Sequence, residues 1–208
     1  MADLTLYTNP LSRGRIARWM IEETGQPYDT VILPFGAAMK SAEYRAVNPM
    51  GKVPAVRHGD VVVTECAAIC AYLADTFPEA RLAPPGPQRG SYYRWLFFAA
   101  GPLEAAVSNR SLGFEVSEER RRMIGYGRFE DVMDTLEIAV STNPFIAGQA
   151  FTAADVYVGS HIGWGLQFGS IERRPAFETY FARVSDRPAY RRAQEKDDAA
   201  MGEVGAAG

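Results

Sequence analysis

The sequence predicts two regions of different fold class: an α/β domain at residues 1–82 and an all-helical domain at residues 92–195. Three observations lead to this prediction. Strand and helix patterns alternate through the first region, a segment rich in proline and glycine follows at residues 83–91, and the strand patterns then stop. Proline and glycine clusters are typical of linkers, and alternating strands and helices are typical of an α/β sandwich.

The composition is that of a folded globular protein. Hydrophobic residues make up 47% of the 208 residues and aromatic residues make up 12%, which excludes disorder over most of the chain. The formal net charge is -3, whereas a nucleic-acid-binding protein is expected to carry a basic excess on one face. We therefore expect a folded protein that has no nucleic-acid partner.

Hydrophobic periodicity gives the element order βαβ, α, ββα in the first region. The first helix carries apolar residues at helical spacing from Ile16 to Met20 and ends at Gly25, and the last one stops before Pro78. The sequence at 58–60 is typical of a hairpin turn. The predicted strands are 4–7, 28–33, 54–57 and 61–64, and a short helix is predicted at 41–47.

The region after the linker shows helical patterns alone. Residues 92–107 are apolar on nearly every side, which predicts a helix buried on two faces. A second helical pattern begins at Glu118, and Thr152 and Asp155 have the spacing of a capping box at the start of a further helix. The last predicted helices are 153–167 and 176–185, a turn begins at Pro188, and the small and polar residues 197–208 predict a disordered tail.

The cysteine and histidine content limits the chemistry. Cys66 and Cys70 lie four residues apart in one predicted helix and form no disulfide framework, and with His58 and His161 alone no metal site is predicted. The first residues lack the pattern of a signal peptide, and no stretch reaches about 18 uninterrupted apolar residues. We therefore expect a soluble cytoplasmic protein that does not use a membrane partner.

Four local features are candidates for a functional role. Ser12 lies between the first strand and the first helix, where it caps the helix or aims a hydroxyl at an anion. Pro54 opens a strand, and a cis proline there would turn the preceding backbone towards a ligand. Glu65, in a first helical turn, is a partner of the helix dipole or a ligand for the ammonium group of an amino acid. Trp164 is a core residue or a ligand contact.

These features occur in an order that resembles the cytosolic glutathione transferases. The resemblance is carried by the Ser12 segment, by residues 48–54 (NPMGKVP), by residues 64–69 (TECAAI) and by the capping box at residues 151–155. It extends from Leu4 to about Arg192 and is similar to bacterial, serine-type members of theta-like or beta-like class. It implies a thioredoxin-like N-terminal domain, an all-helical C-terminal domain, a homodimer, and glutathione as co-substrate without a cofactor.

Members of this family activate the glutathione thiol with a tyrosine, a serine or a cysteine. Alignment with theta-like members places Ser12 on their catalytic serine, whereas counting back from Trp19 to alpha-like members places Tyr7 on their catalytic tyrosine. Arg13 stands where a beta-like cysteine would be. We favour Ser12 and keep Tyr7 as the alternative, because a tyrosine at the end of this strand also occurs in serine-type members.

One hydroxyl that donates to the sulfur is sufficient for this activation. A thiol with a pKa of about 8.5 is mostly protonated at pH 7, and the thiolate is the nucleophile. A hydrogen bond to a charged group contributes about 1.5–3 kcal/mol, which corresponds to a lowering of the thiol pKa by about one to two units. The serine therefore acts as a hydrogen-bond donor and forms no covalent intermediate.

The resemblance assigns the remaining contacts residue by residue. Val53 would pair its backbone with the cysteinyl part of glutathione, with Pro54 cis, and Glu65 and Cys66 would hold the γ-glutamyl head. The family usually has serine where this chain has Cys66, and a thiol is the weaker donor, so that glutathione binding is weakened, or the exchange is simply tolerated, or Cys66 itself is reactive. The candidates for the glycine end of the peptide are Lys52 and Lys40.

The second substrate is predicted only as a chemical class. Phe97, Phe114 and Trp164 indicate an apolar pocket in the helical domain. The predicted function is that of a detoxifying glutathione transferase, which activates the thiol for attack on small apolar electrophiles or organic hydroperoxides. The alternatives are a non-catalytic ligand-binding protein of the same fold and a glutathione-dependent isomerase or dehalogenase.

Overall fold

A four-stranded mixed sheet organises the first part of the chain. The strands are β1 (Leu4–Thr8), β2 (Tyr28–Ile32), β3 (Ala55–His58) and β4 (Val61–Thr64). Their order along the sheet is β2-β1-β3-β4, with β1 parallel to β2 and antiparallel to β3. The computed structural model describes residues 3–205, with side chains to residue 202. The sheet confirms the predicted thioredoxin-like fold of this region.

Three helices complete the predicted order around this sheet. They are α1 (Gly14–Thr24), α2 (Ala42–Val47) and α3 (Cys66–Thr76). Gly25 ends α1 in the left-handed conformation, with a φ of 70° that glycine adopts without steric cost. α1 and α3 pack against each other. The buried side chains of this core include Leu6, Ile16, Met20, Ile69 and Leu73.

The C-terminal helix, α9 (Pro188–Gly205), belongs to the same compact unit as the sheet. It packs against α1, and its residues Ala193, Asp197 and Ala200 are buried. The prediction of a disordered tail at residues 197–208 is therefore wrong for residues 197–205, while residues 206–208 lie outside the described part. Of the small residues that indicated disorder in the sequence, Ala200 is instead buried.

The second compact unit spans residues 83–185 and is helical. Its helices are α4 (Arg89–Phe98), α5 (Glu104–Ser111), α6 (Phe129–Thr142), α7 (Ala153–Phe168) and α8 (Pro175–Ser185). α7 packs against both α4 and α8. This unit ends ten residues before the boundary predicted at residue 195, because α9 packs against α1 and belongs to the other unit. α4 also begins inside the predicted linker.

Two predicted helices of this unit differ in detail from the structure. The helix predicted at 92–107 contains one turn of π-helix at Ala99–Leu103, between α4 and α5. The pattern that begins at Glu118 forms a 3-10 helix at Glu118–Met123, and the chain then leaves the helical conformation until Phe129. Gly127 lies in this break with a φ of 68°, a value that an α-helix does not contain.

The predicted capping box forms at the start of α7 and is completely buried. The Asp155 carboxylate accepts hydrogen bonds from the N–H of Thr152 at 2.8 Å, from the N–H of Ile146 at 2.7 Å and from the Tyr180 hydroxyl at 2.8 Å. Burial raises the pKa of Asp155 to about 6, although these donors favour the charged form. The carboxylate thus joins three segments of the helical unit.

Residues 3–205 contain neither a cluster of metal ligands nor a membrane-spanning helix. No three His, Cys, Asp or Glu side chains in this range lie close enough together to hold a metal ion. No helix in the same range has the length and hydropathy that crossing a bilayer requires.

Candidate functional site

Three turns connect to strands at the same end of the sheet and form the candidate site. The strand register pairs Tyr7 with Ala55 and Ala55 with Thr64. The residues that follow β1, precede β3 and follow β4 therefore emerge side by side. These residues include Ser12, the Val53-Pro54 pair and the Glu65-Cys66 pair, which the sequence predicts as glutathione contacts.

Ser12 lies at the end of a tight turn, which we call the Ser12 turn (residues 9–12). Its hydroxyl donates to the Asn9 carbonyl at 2.7 Å and accepts the N–H of Gly14, the first residue of α1, at 3.0 Å. The side chain is half-buried. A hydroxyl that accepts an N–H becomes the better donor, because linked hydrogen bonds polarise one another. Rotation of the side chain would release this donor from the Asn9 carbonyl.

Tyr7 lies on the other face of the sheet from α1. Leu6 and Thr8, its neighbours in β1, are buried, and Thr8 lies against Gly14 in α1. Because side chains alternate along a strand, Tyr7 points the opposite way, and its ring lies 5.8 Å from the ring of Tyr44 in α2. The geometry therefore favours Ser12 over Tyr7 as the group beside the start of α1.

The Val53–Pro54 peptide bond is cis, as the resemblance implies. The ladder of β3 begins at Ala55, so that the N–H and C=O of Val53 lie outside the sheet pairing. The preceding carbonyl, that of Lys52, accepts the Tyr44 hydroxyl and the Asn48 side-chain amide, each at 2.7 Å. These contacts fix the chain immediately before Val53.

The two candidate lysines differ in their surroundings. The Lys40 ammonium donates to the carbonyls of Met50 at 2.9 Å and of Gly51 at 2.8 Å, so that it holds the loop before Val53. Gly51 has a φ of 57°, and a Cβ atom there would lie 2.4 Å from the Met39 carbonyl oxygen. Lys52 is exposed. Lys40 thus has a structural contact that the sequence does not predict, and Lys52 remains available to a carboxylate.

Glu65 and Cys66 form the start of α3. Glu65 is exposed and has a φ of 65° and a ψ of 121°, a strained conformation for a residue with a side chain. Such strain is typical of ligand sites, where the surrounding structure holds the backbone in place. The first N–H groups of a helix have no acceptor within the helix, so that the start of α3 offers donors to a carboxylate.

Cys66 connects this helix start to the residue that follows the Ser12 turn. The Cys66 thiol is buried and donates to the carbonyl of Arg13, the residue after Ser12, at 3.7 Å. Neither Cys66 nor Cys70 is in a disulfide. Full burial raises the pKa of Cys70 well above its ordinary value, which excludes this residue from thiolate chemistry near neutral pH.

The residues predicted for the electrophile pocket lie in the helical unit. Phe97 in α4 is 70% exposed and Phe114, after α5, is 64% exposed. Trp164 lies in α7 and is half-buried. Exposed apolar rings occur at ligand and partner sites and also singly on protein surfaces; Phe35 and Phe168 are exposed to a similar degree.

Two residues of the Ser12 turn region were missed by the sequence analysis. Asn9 is completely buried; its side chain accepts the N–H of Leu11 at 2.9 Å and donates to the Leu33 carbonyl at 2.9 Å. Arg15 in α1 donates to the Pro10 carbonyl at 2.6 Å. The asparagine before a proline is a signal for a side-chain-capped turn, whereas no local signal indicates the role of Arg15.

Comparison with known proteins gives consistent matches. The family model described as "Glutathione S-transferase, N-terminal domain" matches residues 13–76. Glutathione S-transferase GstA from Escherichia coli O157:H7 is 30% identical over 153 residues, which cover 70% of this chain and 74% of the relative. Glutathione S-transferase A from Pleuronectes platessa is 27% identical over 179 residues, which cover 80% and 79%.

Solved structures match nearly the whole chain. A glutathione transferase from Methylococcus capsulatus has 26% identity and a TM-score of 0.78, over 94% of this chain and 99% of that one. A theta class glutathione S-transferase from Xanthomonas axonopodis pv. citri, crystallised with glutathione bound, has 27% identity and a TM-score of 0.72, over 93% and 97%.

Proposed function

The chain belongs to the glutathione S-transferase family, and on this basis we propose that Ser12 activates the glutathione thiol for attack on small apolar electrophiles or organic hydroperoxides. The observation that supports the proposal is the hydroxyl of Ser12, which accepts the Gly14 N–H at the start of α1 and lies at the end of the sheet where the Val53-Pro54 and Glu65-Cys66 pairs also emerge.

The proposed mechanism is a hydrogen bond to the ionised sulfur. On binding, the Ser12 hydroxyl turns from the Asn9 carbonyl to the sulfur, and the thiol proton leaves to solvent. One such bond lowers the thiol pKa by about one to two units, so that a large share of bound glutathione is thiolate near neutral pH. The thiolate then attacks an electrophilic carbon, a carbon–sulfur bond forms, and the leaving group departs with its electron pair.

We propose contacts for each part of the peptide. The N–H and C=O of Val53, outside the sheet ladder, pair with the cysteinyl backbone. The first N–H groups of α3 bind the γ-glutamyl carboxylate, and the exposed Glu65 carboxylate binds its ammonium group. The Lys52 ammonium lies near the glycine end, and Lys40 supports this end through the Met50 and Gly51 carbonyls.

We further propose an apolar site for the second substrate and assembly as a homodimer. Support for the apolar site comes from the exposed rings of Phe97 and Phe114, together with Trp164. Support for the dimer comes from family membership. A cytoplasmic location stays a prediction.

The test compares Ser12→Ala with Tyr7→Phe. In the wild type, ultraviolet absorption of the thiolate is expected to give a thiol pKa one to two units below the usual value of about 8.5. Ser12→Ala is expected to restore the usual pKa and to lower turnover of an activated aryl chloride by about ten- to a hundredfold, with glutathione affinity changed little. Tyr7→Phe is expected to keep both properties.

Three results contradict parts of the proposal. Full activity in Ser12→Ala with loss in Tyr7→Phe transfers the catalytic role to Tyr7. Glutathione binding without turnover of any aryl halide, hydroperoxide, isomerisable or dehalogenation substrate favours a non-catalytic binding protein. Absence of glutathione binding by calorimetry removes the proposed substrate itself.

A further inference from the structure

Arg15 links the Ser12 turn to the C-terminal helix. Its Nε donates to the Pro10 carbonyl at 2.6 Å, and its terminal nitrogens donate to Asp198 Oδ1 at 2.6 Å and to the side-chain oxygen of Gln194. The Arg15 side chain is only 16% exposed, so that water competes weakly for its donors. One guanidinium thus bridges a turn at residue 10 and a helix nearly 190 residues further along the chain.

The bond to Pro10 acts on a peptide group that orients Ser12. The Pro10 carbonyl is held by Arg15, and the Leu11 N–H of the same peptide group is held by the Asn9 side chain at 2.9 Å. With both ends fixed, this peptide cannot rotate without breaking a hydrogen bond. Ser12 follows directly, and its own N–H donates back to the Asn9 carbonyl at 3.0 Å.

We propose that Arg15 is a positioning residue for thiol activation, oriented by Asp198 and acting through the Pro10–Leu11 peptide on the Ser12 hydroxyl. This inference rests on the proposed role of Ser12. Asp198 and Gln194 fix the direction of the guanidinium, since a planar group that is hydrogen-bonded on both sides has one orientation. The C-terminal helix thereby contributes to the activity without touching glutathione.

Other ion pairs between α1 and α9 provide a matched control. The Glu22 carboxylate in α1 accepts a hydrogen bond from Arg192 Nε of α9 at 2.9 Å. This pair lies at the end of α1 that is remote from Ser12. Loss of this pair loosens the same two helices. A purely structural role of Arg15 predicts that Arg15 and Arg192 variants have the same consequences, whereas the positioning role predicts a difference in the thiol pKa.

The experiment measures the thiol pKa of bound glutathione by ultraviolet absorption, with glutathione affinity by calorimetry, in Arg15→Lys, Asp198→Ala and Arg192→Gln. Arg15→Lys keeps the positive charge and loses the planar guanidinium with its fixed donors. This variant is expected to raise the thiol pKa by about half to one unit, while glutathione affinity stays within about twofold. Asp198→Ala is expected to give a smaller rise in the same direction. Arg192→Gln is expected to lower the melting temperature and to leave the thiol pKa unchanged.

A double variant separates positioning from a direct effect of charge. In Ser12→Ala, addition of Arg15→Lys is expected to cause no further rise, because Arg15 acts through the serine. An unchanged pKa in Arg15→Lys, an equal rise in Arg192→Gln, or full additivity in the double variant overturns the inference. If the thiol pKa of bound glutathione is not lowered in the wild type, or does not rise in Ser12→Ala, the proposed role of Ser12 is wrong. If the thiol pKa rises in Ser12→Ala but not in Arg15→Lys, only the role of Arg15 is rejected.

Discussion

Gly14 lies so close to Thr8 that any side chain at the start of α1 would displace Thr8. A Cβ atom at position 14 would lie 1.9 Å from the Thr8 Oγ1 atom and 3.1 Å from the Ser12 hydroxyl oxygen. Thr8 is completely buried at the end of β1. The distance between β1 and α1, and with it the place of the Ser12 hydroxyl, therefore depends on the absence of a side chain.

We expect Gly14→Ala to destabilise the protein by about 1–3 kcal/mol, because the methyl group forces Thr8 and the start of α1 apart. Urea unfolding measures this loss, and the thiol pKa of bound glutathione is expected to rise. Gly90→Ala is the control. Gly90 lies in α4 with no atom near its Cβ position, so that alanine is expected to stabilise the protein slightly. Equal stability of the two variants would contradict the prediction.

Glu65 is expected to lose strain and function together in Glu65→Gly. Glycine adopts a φ of 65° readily, so that the free energy of unfolding rises by about 1 kcal/mol, while glutathione affinity falls at least tenfold with loss of the carboxylate. Arg81→Gly is the matched control, since Arg81 has a φ of 55° outside the proposed site. It is expected to gain stability without change in affinity. Undiminished affinity in Glu65→Gly argues against an ammonium ligand there.

The buried pair of Arg18 and Asp197 is expected to be important for stability. The two side chains are 4% and 1% exposed and meet at 2.8 Å. Asp197→Ala leaves a buried guanidinium without its counter-charge, which costs about 3–5 kcal/mol. Chemical denaturation measures this cost. Removal of the exposed Asp186, which pairs with Arg191, is the control and is expected to cost less than about 1 kcal/mol. A similar small cost for Asp197→Ala would contradict the close packing of α9.

Asp155 is expected to make stability fall as the pH rises from about 4 to 7. Its pKa is about 6 in the folded protein and about 3.9 in an unfolded chain, so that the folded state binds the proton more tightly. The stabilisation from this proton is fully present below about pH 4 and is lost as the pH rises through about 6.

The measurement is urea unfolding of the wild type and Asp155→Asn across this range. The wild-type value minus that of the variant is expected to fall by roughly 2–3 kcal/mol as the pH rises, since the asparagine does not titrate. A difference that is constant or that grows with pH would show that the hydrogen-bond donors around Asp155 outweigh its burial.

Local patterns were sufficient to predict the sheet, the capping box and the turns of the candidate site. Alternation and helical spacing are properties of neighbouring residues, so that they can be recognised in the sequence. The cis bond before Pro54 and the helix start at Cys66 were predicted from short segments that are typical of one family. The π-helical turn at Ala99–Leu103 was not predicted, because an apolar segment has no feature that distinguishes this turn from an ordinary helix.

The role of the C-terminal helix could not be predicted for a different reason. Asp197 and Asp198 lie among small and polar residues, which alone indicate a solvated tail. Their partners, Arg18 and Arg15, are about 180 residues away in sequence. Only the three-dimensional packing of α9 on α1 brings these charges together, and with them the contact that reaches the Ser12 turn.

This arrangement has a consequence for the order in which the protein is made. The ribosome synthesises the sheet first, then the entire helical unit, and only afterwards α9. A nascent chain with a finished sheet still lacks Asp197, the counter-charge of Arg18, and Asp198, which pairs with the Arg15 guanidinium. Arg15 and Arg18 therefore acquire their partners in α9 only after the helical unit has been synthesised, so that the final packing of α1 waits for a late segment of the chain.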